Sequence, residues 1–388
     1  MIMTFYDEIQ KYDWEEVKTA IYTTTAEQAA CAVAKSEAGV RLEMSDFAAL
    51  ISPEGEKLLE RIVAQSAAIT RRRFGHTMQI YVPLYLANYC SNNCVYCGFS
   101  ARNNIKRSVL TSEQIEKECL AIKKHPFQHI LLVTGESAHH SGIEYLGAAI
   151  NQIKRHFEQV SIEVQPMDTK DYSYLMEKGL YSVAVYQETY NENRYSAYHL
   201  KGKKADYRYR LETPDRIGEA GAYKICIGAL LGLEDWRTEA FFVALHMRYL
   251  EAKFWKSKLS ISFPRLRPCA GEGFQPNSIV TERDLLLMMT IYRLMSEDVE
   301  ISLSTRERPY FRDHVLKLGV TTISAGSKTT PGGYADYEAT KELEQFEVND
   351  DRSVDEIIAK VKEIGMEPVW KDWSLFLQGE KVVPTKML

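Results

Sequence analysis

Residues 80–98 read Ile80-Tyr81-Val82-Pro83-Leu84-Tyr85-Leu86-Ala87-Asn88-Tyr89-Cys90-Ser91-Asn92-Asn93-Cys94-Val95-Tyr96-Cys97-Gly98. The apolar run Ile80–Leu86 has the length and residue types of a buried strand. Three cysteines follow it at once in C-x3-C-x2-C spacing, with aromatic Tyr96 before the last. No fourth cysteine stands nearby. A structural zinc site closes its tetrahedron with four protein ligands, whereas three thiolates on an iron–sulfur cube leave one iron open to a small molecule, which Tyr96 could flank. A zinc knuckle completed by a distant histidine, or three unrelated thiols, are the alternatives. So tight a triple is a poor product of chance, and clustered cysteines in a reduced compartment usually mean metal.

The pattern repeats outward from this stretch. Apolar or β-branched runs at Ile80–Leu86, His129–Thr134, Val160–Gln165, Ser182–Gln187, Lys224–Leu230, Leu259–Phe263, Val299–Ser304 and Val320–Ala325 alternate with amphipathic runs. The latter include Ser112–Lys123, Ile143–His156, Asp168–Lys178, Pro214–Ala220, Thr238–Phe254, Thr281–Met295 and Pro309–Leu318, with a further helix at Val354–Ile364. Strand followed by helix, eight times, predicts an α/β fold, a (β/α)8 barrel. Residues 1–75 read as an N-terminal helical extension, with a helix introduced by Ser52-Pro53 and ended near Gly75. Residues 76–345 read as the barrel, and 346–388 as a C-terminal helix and tail packed on it, with Trp370 and Trp373 as anchors.

Composition narrows the function classes. The 388 residues carry a net charge of −5, 45% hydrophobic and 26% charged residues, an ordinary globular balance. Arg71-Arg72-Arg73 is the only basic run and suits a helix end, so no nucleic-acid partner is expected. No run reaches the apolar length of a membrane span and no signal pattern opens the chain, so a cytoplasmic protein is expected. Of the seven cysteines, Cys31, Cys119, Cys226 and Cys269 are scattered and read mostly as buried thiols. His139-His140 lacks the spacing of a metal site and reads as surface.

Barrel chemistry collects at the C-terminal ends of the strands, and the conspicuous residues fall there. The cysteines follow the first strand, Gly135-Glu136 the second and Gln165 the third. Gln187-Glu188 follow the fourth, Gly228 and Leu233 the fifth, and Arg265 and Arg267 the sixth. Ser304 and Arg306 end the seventh, and Ser327 follows the eighth. A carboxylate in such a mouth is best held by a bidentate arginine. Arg265, Arg267 and Arg306 are the candidates, although Arg306 could pair with Glu307 or a helix carboxylate instead.

The cysteine triple with its aromatic resembles the signature of the radical S-adenosylmethionine (SAM) enzymes. Leu132-Val133-Thr134-Gly135-Glu136, Glu163-Val164-Gln165-Pro166, Val185-Tyr186-Gln187-Glu188-Thr189-Tyr190, Leu211-Glu212-Thr213-Pro214-Asp215-Arg216, Ser262-Phe263-Pro264-Arg265-Leu266-Arg267-Pro268-Cys269, Ser302-Leu303-Ser304-Thr305-Arg306-Glu307 and Pro331-Gly332-Gly333-Tyr334 resemble runs of the 2-iminoacetate synthases, from about Phe74 to Leu377. The resemblance implies a [4Fe-4S] cluster on Cys90, Cys94 and Cys97, with the open iron chelated by SAM. It implies SAM contacts from Tyr96, Gly135, Glu136, Gln165, Gln187, Glu188, Arg210, Gly228 and Leu233, some of which could serve packing or pair with one another, as Glu188 and Arg210 could. It implies substrate contacts from Tyr85, Ser304, Arg306 and Ser327, with Tyr85 near the amino group and Tyr85 and Arg306 as catalytic candidates.

The implied reaction cleaves SAM to methionine and a 5′-deoxyadenosyl radical, which takes a hydrogen atom from the amino group of L-tyrosine. The Cα–Cβ bond then breaks to 2-iminoacetate (dehydroglycine) and p-cresol, for thiamine thiazole synthesis. The implied partners are a thiazole synthase and a flavodoxin-type reductant. Aromatic and charged residues interleaved over Tyr195–Arg210 suit either a docking surface or a cap on the site. No cysteine follows Cys269, so a cysteine-ligated second cluster, as in the tyrosine lyase of hydrogenase maturation, is not expected. Tryptophan or another aromatic amino acid as substrate, and a non-catalytic zinc-stabilised binding protein, remain the alternatives.

Overall fold

The computed structural model describes residues 3–267, 274–336, 338, 340 and 344–373; Cys269 and the end of its motif lie outside them. Eight parallel strands close on themselves: β1 (Thr77–Ala87), β2 (His129–Thr134), β3 (Gln159–Glu163), β4 (Leu180–Ala184), β5 (Lys224–Gly228), β6 (Lys258–Ser262), β7 (Glu300–Leu303) and β8 (Thr322–Ser324). The long β1 makes the closure, pairing Gln79–Tyr81 with β8 and Val82–Ala87 with β2. The expected (β/α)8 barrel is therefore the observed fold. A ninth strand, β9 (Glu367–Val369), adds outside the barrel against the start of β1.

The strands form because helices cover their outer faces, so both faces are buried and the sequence reads as continuous apolar runs. The lumen is unusually polar for such a barrel. At its N-terminal floor, Lys224 and Glu300, first residues of β5 and β7, pair at 2.5 Å, each side chain at most 5% exposed. His129 Nε2 lies 2.7 Å from the Ser161 hydroxyl, and Ser182 donates to Ser161 at 2.9 Å. Burial pushes the His129 pKa down to about 3, so its imidazole is neutral. Asp372 plugs the floor, accepting from Lys258 and from the Tyr181 hydroxyl, each at 2.9 Å.

The N-terminal helices pack on the helices around the barrel. Met44–Ile51 lies on Trp236–Lys253, and Leu59–Phe74 lies on Glu282–Met295. Ser52 and Pro53 start a short turn as their types dictate, with Ser52 Oγ accepting from Gly55 N at 3.0 Å. Gly75 ends the following helix at φ 63°, a conformation glycine adopts freely. Phe5 and Phe47 are fully buried in this layer, and each such side chain stabilises the fold by about 1.5–3 kcal/mol.

Candidate active site

The loop between β1 and the next helix carries the cysteines, and the backbone fixes it from three sides. Ser91 N donates to Glu136 O at 2.9 Å in the loop after β2. Asn93 N donates to Lys201 O and Val95 N to Tyr198 O, so the segment after β4 lies over the cysteines as a cap. Tyr195, Tyr198 and Tyr207 are buried in that segment, while Tyr209 is half-buried and donates to Asp168 at 2.9 Å. Arg107 holds the far side of the loop through the carbonyls of Asn88, Phe99 and Ser100 at 2.7–2.8 Å.

Cys90, Cys94 and Cys97 line one cavity at the C-terminal mouth, with Tyr96, Gly135, Glu136, Glu188, Arg210 and Arg306. The cavity spans about 990 Å³, open mouth included. No disulfide ties the thiols. Burial raises the Cys90 and Cys94 thiols above their ordinary range, so a metal centre would have to displace their protons. Among the described residues, no three His, Cys, Asp or Glu side chains are grouped as a single metal ion would need. The donor set, three soft thiols facing a shared cavity, suits an iron–sulfur cluster with a separate iron for each ligand.

A buried four-charge network forms one wall. Glu136 accepts from Arg210 at 2.9 Å and from Asn92 at 2.8 Å, and lies 3.7 Å from Lys204. Glu188 accepts from Lys204 at 2.6 Å and Arg210 at 3.3 Å. Glu188 and Arg210 thus do pair, as the sequence allowed. Burial raises the Glu136 carboxyl, but Arg210 and Lys204 outweigh it and hold its pKa below the usual value. Glu188 sits at φ 72°, a left-handed conformation uncommon for a residue with a side chain, where the chain turns out of the barrel. Lys204, which sequence reasoning missed, completes the charge balance from more than a hundred residues beyond the cysteines.

Tyr96 is fixed from behind. His199 Nδ1 lies 2.9 Å from the Tyr195 carbonyl, so that nitrogen carries the hydrogen. Its Nε2, 2.7 Å away, then accepts from the Tyr96 hydroxyl. Burial lowers the His199 pKa to about 3 and keeps the ring neutral.

The opposite wall contains Arg306. Its alternative partner is taken: Glu307 accepts from Arg265 and, at 3.3 Å, from Arg267. Arg306 has no ion pair among the described residues. Its guanidinium lies 3.5 Å from the Phe346 ring centre and 3.4 Å from the Arg265 carbonyl. Tyr85 is buried against Phe99 and donates to Gln345 Oε1 at 2.8 Å. Gln345 also reaches Cys97 Sγ at 3.8 Å.

Other expected site residues lie around this cavity or away from it. Ser304 accepts from Arg306 N at 3.3 Å. Gln165 donates to Ser141 O at 2.9 Å and Gln187 to Tyr207 O at 3.4 Å, while the amide oxygen of each is buried without a partner among the described residues. Leu233 packs with Cys94, Tyr96 and Leu230. Gly135 and Gly228 have a steric reason inside the chain: a Cβ would come within 2.3 Å of the Tyr89 carbonyl and 2.4 Å of the Ser262 carbonyl, respectively. Ser327 lines a separate cavity with Lys328 and Arg352. Glu163, not singled out from sequence, lines the main cavity at the end of β3.

Residues 84–242 match the model of the radical SAM superfamily, and residues 262–367 that of the biotin and thiamin synthesis associated domain. The chain is 45% identical over 375 residues to the 2-iminoacetate synthase of Escherichia coli (strain K12), covering 96% of this chain and 98% of that one. The crystal structure of HydG, a maturase of the [FeFe]-hydrogenase, superposes with a TM-score of 0.88 at 31% identity, over 96% of this chain and 82% of HydG. Methylornithine synthase, at 22% identity and a TM-score of 0.71 over 89% of this chain and 99% of its own, shares the fold. With the barrel, the cysteine loop at its mouth and this extent of identity together, the chain belongs to the 2-iminoacetate synthase family of radical SAM lyases.

Proposed function

We propose that this protein cleaves the Cα–Cβ bond of L-tyrosine to 2-iminoacetate and p-cresol, with SAM converted to 5′-deoxyadenosine and methionine, as a step of thiamine thiazole synthesis. Membership of the radical SAM superfamily implies a [4Fe-4S] cluster and SAM. Cys90, Cys94 and Cys97 would hold the cluster, which supplies the electron that breaks the sulfonium bond. Glu136, Glu188, Lys204 and Arg210, charge-balanced among themselves, are the groups that could re-pair with the ammonium and carboxylate of SAM. Tyr96, braced by His199, would keep a fixed surface beside the cluster. Leu230 and Leu233 offer apolar contact to adenine.

The observation that carries the substrate reading is Arg306, a guanidinium facing the cavity with no carboxylate partner among the described residues. An α-amino acid would supply one, and Phe346 stacked on the guanidinium holds its fork in place. The product imine hydrolyses to glyoxylate in water, so a thiazole synthase that receives it directly fits the chemistry. A flavodoxin-type protein fits the need for single electrons.

The test is an anaerobic assay of reconstituted protein with SAM, reductant, and tyrosine or tryptophan in parallel. Tyrosine should yield p-cresol and glyoxylate, with 5′-deoxyadenosine. Product from tryptophan alone, or protein that takes up zinc and cleaves no SAM, would overturn the proposal.

A further inference from the structure

Three carboxylates line the main cavity: Glu136, Glu163 and Glu188. Lys204 and Arg210 hold the first and third. Glu163 ends β3, its neighbour in register on β2 being Val133. No hydrogen bond or ion pair reaches its carboxylate among the described residues. Glu163 and Arg306, which reaches only the Arg265 carbonyl and the Phe346 ring, therefore line one cavity with no opposite charge paired to either among the described residues. Leaving two charges so placed is costly unless water or a ligand satisfies them.

An α-amino acid carries the complementary pair on a single carbon. Its phenol, if it has one, lies a whole side chain away. With the carboxylate anchored on Arg306, the ammonium is the ligand group that a second charge on the cavity wall would meet. We propose that Glu163 binds the α-ammonium of the substrate and removes its proton, so that Glu163 and Arg306 together clamp the two ends of the zwitterion. This inference rests on the amino-acid lyase reading above.

The transfer is a simple proton exchange. One N–H bond breaks, one carboxyl O–H bond forms, and the nitrogen keeps its electron pair. The amine is left neutral, with two hydrogens, before any hydrogen atom is taken from it. The surroundings support a carboxylate able to accept that proton. Burial raises the Glu163 carboxyl, Arg306 opposes this most strongly among the neighbouring charges, and Glu188 adds to the rise while Lys204 and Arg210 oppose it.

The test uses the anaerobically reconstituted protein and two probes, tyrosine and 3-(4-hydroxyphenyl)propanoate, which lacks only the amine. Glu163→Gln should lower tyrosine affinity roughly 10- to 100-fold, as expected for loss of a charged hydrogen bond. Affinity for the amine-free acid should be unchanged or higher. Turnover to p-cresol should fall about 10²- to 10⁴-fold, the range for a general base. Glu163→Asp should restore part of both losses, and it carries the same comparison if Glu163→Gln fails to take up iron. Wild-type affinity and turnover for tyrosine in Glu163→Gln, or equal loss of both probes, would overturn the inference. Absence of p-cresol from the wild-type protein would instead overturn the lyase reading, a separate result from the preference for one probe over the other.

Discussion

Lys224 and Glu300 at the floor of the barrel, and Arg306 and Glu163 at its mouth, are the same kinds of group in the same lumen. At the floor the opposite charges meet directly, and Asp372 joins Lys258 to seal that end. At the mouth the two groups face the cavity separately, while the neighbouring charges Glu136, Glu188, Lys204, Arg210, Arg265, Arg267 and Glu307 pair among themselves. A buried pair broken by mutation is severely destabilising, whereas an unpaired group in an open cavity is available to a ligand. The comparison assigns the floor to stability and the mouth to chemistry, and substitutions at the two ends should separate those properties.

The largest effect belongs to the mouth. Cys94→Ala should abolish SAM cleavage, read as 5′-deoxyadenosine under reducing, oxygen-free conditions, and so should Cys90→Ala or Cys97→Ala. Replacing Cys119 or Cys226, buried thiols away from the mouth, should leave it largely intact. Deoxyadenosine at the wild-type level from Cys94→Ala would end the cluster assignment. Next comes the floor: Lys224→Met strands the Glu300 carboxylate and should cost about 3–5 kcal/mol of stability. Adding Glu300→Leu should recover most of that loss in urea unfolding. If the single variant unfolds like the wild type, the floor pair is not structural.

Arg306→Lys keeps the charge but loses the planar fork. Tyrosine turnover should fall roughly 10- to 100-fold while SAM cleavage uncoupled from tyrosine persists. Undiminished p-cresol yield would mean that the carboxylate is held elsewhere. The smallest effect is a pH slope at the floor. The His129 pKa is lowered from 6.5 to about 3. As pH falls below 6.5 the unfolded chain gains a proton that the folded one refuses. Stability is therefore lost progressively toward pH 3, by at most about 1.4 kcal/mol per unit for this residue. His129→Asn should remove that share of the slope between pH 6.5 and 5 in thermal unfolding. An unchanged slope would mean that His129 already titrates in the folded protein.

What the sequence revealed depends on how local each signal was. β2 was legible to the residue because His129–Thr134 is bounded on both sides. The fourth strand reads as Ser182–Gln187 but is Leu180–Ala184; the apolar run continues past the point where the backbone leaves the barrel toward Glu188. The third reads to Gln165 but ends at Glu163, and that difference decides which residue stands at the strand end. The strand-end rule applied to the observed boundary points to Glu163. β9 carries Pro368 in a three-residue strand, too short and too poor a donor to register. Lys204, on a single 3-10 turn at Lys203–Ala205, and Gln345 and Phe346, on a distant loop, come to the mouth with no periodicity to announce them. Only the closed barrel brings them to the cysteines.

The central claim is that the mouth presents the amine of tyrosine to the radical derived from SAM. In D₂O buffer the amine and phenol hydrogens of tyrosine exchange, whereas those on its carbons do not; O-methyltyrosine, which lacks the phenol hydrogen, separates the first two. Mass spectrometry of the 5′-deoxyadenosine formed in one turnover should therefore show a single deuterium. Unlabelled 5′-deoxyadenosine, accompanied by p-cresol, would mean that the hydrogen atom comes from carbon, contradicting the account.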